Sequence, residues 1–155
     1  MPFQVNAEVP PALTPGAHVL NVHSPFGTAS QTVTVSALAP VIFLLGDGVT
    51  GAVENQDYTV NTLTNPLMRG QTLMVYATGL GGVTADNNGL STVNSPVTAL
   101  VNGVEIPVSY AGLSGFVGLY QVNVPIPVST PPGSGILLTL KQGGQISNPV
   151  NITIQ

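Results

Sequence analysis

The sequence predicts an all-β protein: a β-sandwich made of two tandem related modules, the first of them incomplete. Three observations predict it. Residues 4–10, QVNAEVP, return as QVNVPIP at residues 121–127, so that Gln4 and Gln121 stand 117 positions apart, and the same spacing joins Pro10 to Pro127 and Gly16 to Gly133. An internal repeat of this kind means that one structural unit is written more than once. The chain also carries 18 glycines and 14 prolines in 155 residues, a density that suits many short strands joined by turns and does not suit helices. Finally, apolar and polar residues alternate with period two in segment after segment, the signature of half-buried strands.

The first module spans residues 1–38 and reads as three strands. Phe3, Val5, Ala7 and Val9 alternate with Gln4, Asn6 and Glu8. Pro10 and Pro11 stop that strand, because proline cannot donate to a ladder. Residues 13–16, LTPG, form a turn. His18, Leu20 and Val22 then alternate with Val19, Asn21 and His23, SPFG at 24–27 turns the chain, and Val33 and Val35 close the module with Thr32 and Thr34 opposite.

The second module spans residues 39–155. It opens with a short apolar strand at 41–45 bounded by Gly46-Asp47-Gly48, followed by a polar stretch with a weak strand signal at 58–60. Residues 71–78 make a strong strand, and 79–95 read as a long Gly/Asn-rich loop. Strands at 96–101 and 104–110 are joined by Asn102-Gly103, the best type I′ hairpin signal in the chain. Residues 112–118 read as a connection. Strands at 119–126, 136–141 and 150–154 then repeat the ending of module one. Seven or so strands suffice to close two packed sheets. Three strands do not: they leave one apolar face that something else has to cover. Phe3, Val5, Ala7, Val9, Leu20, Val22, Val33 and Val35 are therefore the candidate subunit-interface residues.

Composition excludes several functions. Charged residues make up 5% of the chain, against roughly 25% in an ordinary soluble domain. Arg69 and Lys141 are its two basic side chains apart from histidine. Two cations make no phosphate-tracking surface, so nucleic acid is not expected as a partner, nor an anionic membrane surface. The longest apolar run, near 37–45, is far short of the ~20 residues of a membrane-spanning helix. No basic segment followed by an apolar one opens the chain as a signal peptide would. Cysteine is absent, which removes disulfides and thiolate metal sites.

Each chemical motif has a plainer reading. Gly79-Leu80-Gly81-Gly82 follows a strand as a dinucleotide fingerprint does, but a loop and no helix follows it. Gly112-Leu113-Ser114-Gly115 falls short of a nucleophile elbow. His18 and His23 lie on opposite faces of one strand, so neither serves a serine nucleophile. Asp86-Asn87-Asn88-Gly89 offers oxygens to Ca²⁺, with Asp47, Glu54 and Asp57 as a second group. A calcium site takes six to eight oxygens, and an Asn-Gly turn explains the motif. Asn151-Ile152-Thr153 is a glycosylation sequon inside an expected strand. Lys141 is the sole lysine open to an isopeptide bond. Tyr58, Tyr76, Tyr110 and Tyr120 would stack on sugars if exposed and pack across strands otherwise. No enzymatic activity, cofactor or metal is expected.

The runs YATGLGGV (76–83) and VNGVEIPVSYAGLSGFVGLYQVNVPIP (101–127), with the opening QVNAEVPPALTPG, resemble the Solibacter-type C-terminal domain of large secreted acidobacterial proteins. Each half also resembles an IPT/TIG immunoglobulin-like domain in its Pro-Gly, alternating strand, small turn and final Val-rich strand. In the family a strand and an Asn-Gly-type hairpin precede the first QVN block; none precedes it here, in keeping with an incomplete first module. The resemblance implies an immunoglobulin-like, extracellular, non-enzymatic module. Two functions follow as expectations. One is a surface-fibre subunit whose partners are other copies of itself. The other is an accessory module binding extracellular polysaccharide through the loops at 46–57 and 79–95.

Overall fold

A computed structural model describes residues 5, 7–10, 12–87 and 89–155, and among them every regular element is a β-strand. The chain divides into two compact units, Met1–Ala37 and Leu38–Gln155.

The first unit is a hairpin. β1 (Gly16–Ser24) pairs antiparallel with β2 (Gly27–Val35) along all nine residues of each. The expected strand at 3–9 is corrected here. Val5, Ala7, Glu8 and Val9 belong to no strand, and Phe3 lies outside the described residues. Alternation alone does not make a strand: its backbone groups need a neighbouring ladder, and among the described residues β1 and β2 pair only with each other.

The second unit is a sandwich of two antiparallel sheets. The first sheet contains β3 (Val41–Ile42), β4 (Val53–Glu54), β5 (Thr72–Thr78), β6 (Val83–Ala85), β7 (Ser91–Val93), β10 (Tyr110–Leu113) and β11 (Tyr120–Pro125), in the order β3-β5-β11-β10-β7-β6, with β4 also pairing β5. The second contains β8 (Val97–Val101), β9 (Val104–Pro107), β12 (Gly133–Gln142), β13 (Gln145–Ile146) and β14 (Val150–Ile154), in the order β13-β12-β8-β9, with β14 also pairing β12. Alternate residues of both sheets enclose one core. Leu73, Val75, Ala77, Val122 and Val124 come from the first sheet, and Ala99, Leu138, Leu140, Ile152 and Ile154 from the second. The all-β class and the layered sheets are as the alternation predicts.

Three local expectations change. The loop at 79–95 holds a hairpin, β6 and β7, too short to show a period. The strand expected at 104–110 is two strands: β9 ends at Pro107 in one sheet and β10 begins at Tyr110 in the other. Proline cannot donate to a ladder, and the chain changes sheets there. Gly112 is not a connection but part of β10, paired with Gln121 and Thr92; the turn follows at 114–119. Asn102 (φ 47°) and Gly103 (φ 80°) form the expected primed turn.

Asparagine side chains, Asn61 buried and Asn148 half-buried, close the sandwich where its backbone ladders stop. The Asn148 side chain accepts from Ile42 N–H at 2.8 Å and donates to the Ile42 carbonyl at 3.1 Å. Asn61 does the same for Thr153, at 2.7 and 2.9 Å, and also donates to Asn55 Oδ1 at 2.8 Å. Each carboxamide stands in for a strand residue, so the backbone groups at that edge stay satisfied.

Candidate assembly surface

The antiparallel register of the first unit sorts its side chains into two faces. Residues directly opposite each other share a face. His18 pairs with Val33, Leu20 with Gln31, Val22 with Ala29 and Gly16 with Val35. Leu20, Val22, Ala29, Val33 and Val35 therefore form one apolar face. The other face pairs Ala17, Val19, Asn21 and His23 with Thr34, Thr32, Ser30 and Thr28. Four of the eight sequence-predicted residues are thus brought together. Leu20 is 49% exposed and Val22 46%, while Val33 and Val35 are half-buried. Val5 is 77% exposed and Val9 56%, and Ala7 is exposed as well.

The second unit contains a hairpin of comparable register whose corresponding face is buried. Gly16 opposes Val35 as Gly133 opposes Ile154, and His18 opposes Val33 as Ile136 opposes Ile152. One bulged residue in β12 separates the two patterns, between Gly133 and Ile136. Gly135 there has φ 67°, the left-handed geometry a glycine accepts freely. Past the bulge Leu20 corresponds to Leu138 and Val22 to Leu140, while Val33 and Val35 correspond to Ile152 and Ile154. The repeat likewise equates Val5, Ala7 and Val9 with Val122, Val124 and Ile126. All seven counterparts in the second unit are at most 2% exposed. The uniform spacing of the sequence repeat conceals this equivalence, because the bulge shifts every later residue to the opposite face.

Several ionisable groups are tied into turns and cross-strand bonds. Asp47 accepts from Thr50 Oγ1 and from the Val49 and Thr50 N–H groups, Asp57 from the Thr59 hydroxyl and N–H, and Asp86 from Leu90 N–H. These bonds hold the Asp47 and Asp57 carboxyls below their ordinary range, the threonine hydroxyl being the larger cause in each. Lys141 donates to Glu105 at 2.9 Å on the exposed face of the second sheet. With Thr98, it lowers the Glu105 carboxyl. Tyr76 donates to Glu54 at 3.0 Å. Burial, then this bond, raises the Tyr76 phenol. His18 is half-buried on the apolar face and its Nε2–H donates to the Thr14 carbonyl at 2.8 Å. His23 lies on the other face, 2.9 Å from Thr28 Oγ1. Among the described residues no three His, Asp or Glu side chains gather as metal ligands. A cleft of ≈ 310 Å³ beside β9 is lined by Val104, Ile106, Pro107, Pro127, Pro131 and Ile136, with Glu105 at its wall.

Tyr110 and Tyr120 pack between strands with their hydroxyls donating to the Leu113 and Gly81 carbonyls. Tyr58 differs: it is 75% exposed, with φ 65°. No family model, curated protein or solved structure matches this chain.

Proposed function

We propose that the chain is a non-enzymatic structural protein of the cell exterior, a self-assembling fibre subunit joined to its neighbours through its first unit by strand pairing and sheet packing. One observation carries this reading. The same hairpin occurs twice, and the face that forms half of a core in the second unit is open in the first. A two-stranded hairpin is marginal alone, so coverage by a neighbour stabilises it. Residues 9–46 contain no Asp, Glu, Lys or Arg, so neighbouring copies meet there without charge repulsion. The resemblance to secreted acidobacterial domains supports the extracellular setting. Light scattering and negative-stain microscopy across a concentration series test the proposal. Concentration-dependent association or filaments are expected. A monodisperse monomer with a stably folded hairpin overturns it.

Tyr58 favours a second reading, a carbohydrate-binding accessory module. A bulky side chain in the left-handed region is a genuine backbone outlier, of the kind that collects at functional sites. Its exposed ring is a surface on which a sugar can stack. Retention on glucans or chitin that Tyr58→Ala abolishes supports it; no retention on either removes it.

A further inference from the structure

We infer that the outer edge of β1 is the joint, and that it pairs antiparallel with β1 of a second copy. This rests on the self-assembly reading above and specifies which edge makes the contact.

The finished hairpin shows which edge needs a strand. β12, the counterpart of β1, receives β8 antiparallel along five residues, from Leu138↔Val101 to Gln142↔Val97. β14, the counterpart of β2, has no such partner on its outer side: a single parallel bridge from Leu67 to Ile154 and the Asn61 side chain occupy it. By equivalence the stretch of β1 awaiting a strand is Leu20 to Ser24. That stretch is uncharged and free of proline, as is the whole of β1, so nothing blunts it as edge strands are usually blunted.

A second copy's β8 cannot fill the place, because it is committed to its own core, with Val97, Ala99 and Val101 buried. A second copy's β1 can: it offers an equally long, equally unpaired edge. A two-fold axis through Val22 sets Val22 opposite Val22, Asn21 opposite His23 and Leu20 opposite Ser24. With that axis perpendicular to the sheet, the two apolar faces fall on the same side. The result is a four-stranded sheet, β2-β1-β1-β2, with one continuous apolar face bearing Leu20, Val22, Val33 and Val35 from each copy. Such a sheet is ready to stack on another.

The chain has no cysteine, so one introduced thiol reports its own neighbours. Bridging needs Cα atoms within roughly 7 Å. Under a mild oxidant, Val22→Cys is expected to give a disulfide dimer rapidly. Val49→Cys, more accessible at 75% exposure than Val22 at 46% but in the second unit, is expected to stay largely monomeric. Leu20→Cys mixed with Ser24→Cys is expected to cross-link more than either variant with itself, which reads the register. If the chain assembles but Val22→Cys bridges no faster than Val49→Cys, the β1 joint is wrong while self-assembly stands. If light scattering shows only monomer at every concentration, both fail.

Discussion

Leu20 and Leu138 occupy corresponding places in two hairpins of comparable register, and truncating each to alanine separates the two environments. Leu138 is fully buried, so Leu138→Ala loses its transfer free energy and leaves a cavity, a cost of about 2–5 kcal/mol. Full burial of a leucine is worth about 1.5–3 kcal/mol. Leu20 is 49% exposed, so about half of that, roughly 1 kcal/mol, is at stake in a single chain. Covering the rest in an assembly adds about 1 kcal/mol per copy, near fivefold in the concentration needed to associate. The sequence supplies separate reporters. All four tyrosines lie in the second unit and both histidines in the first. Urea titrations of dilute protein, followed by tyrosine fluorescence, should show a large loss for Leu138→Ala and none for Leu20→Ala. Histidine ring signals in NMR should show the smaller loss for Leu20→Ala, and light scattering the shifted onset of association. A cost for Leu20→Ala in dilute monomer as large as that for Leu138→Ala would refute the reasoning, because the face would then be sealed within its own chain.

Asn61→Ala leaves Thr153 N–H without its acceptor and Asn55 Oδ1 without its donor, while the Thr153 carbonyl keeps the Leu67 N–H; each group left unpaired costs about 1–3 kcal/mol, and a lowered urea midpoint by tyrosine fluorescence checks this. Gly79→Ala places a Cβ against the Ala39 carbonyl in a backbone at φ 75°, and both clash and strain destabilise the second unit, which a lower melting temperature by circular dichroism should show. Acid should weaken the fold through Asp47, Asp57 and Glu105. Their folded pKa values lie below the unfolded ones, so their stabilisation is present above the ordinary carboxylate range, near pH 4, and is lost as pH falls through the depressed values. Urea midpoints measured down to about pH 2 should fall in that window, and Asp57→Asn should flatten part of the drop.

The strands that alternate strongly were legible because period two survives any tertiary arrangement. Val97–Val101, Tyr120–Pro125 and Val150–Ile154 each bury every second residue, as their sequences indicate. The same pattern at Val5, Ala7 and Val9 misled, because alternation states which residues would face a core and not whether a partner strand is there. β6 and β7 were illegible at three residues each. The sheet change after Pro107 left only the proline as a trace. Asn61 and Asn148 gave no signal at all: an asparagine that completes a sheet edge reads in sequence like one in a turn, and only the distant backbone it serves, Thr153 or Ile42, tells them apart. Of the candidate surface, the membership of Leu20, Val22, Val33 and Val35 was readable from their parity. The match of this hairpin to its finished counterpart was not, since it depends on one bulged residue at Gly135.

That bulge bears on why the two hairpins meet different fates. In the second unit the extra residue lets β12 start at Gly133, opposite Ile154, and still present Ile136, Leu138 and Leu140 to the facing sheet. β1 has no bulge and is in unbroken register from Gly16 to Ser24. Bulges bend and twist a strand and interrupt its edge; a strand without one keeps a continuous edge, a form open to pairing with another chain. The exposed hairpin therefore also keeps the unbroken edge that the proposed joint uses. The uncovered face and the unbroken edge belong to the same strand, and a partner that pairs with the edge extends the face it leaves to be covered.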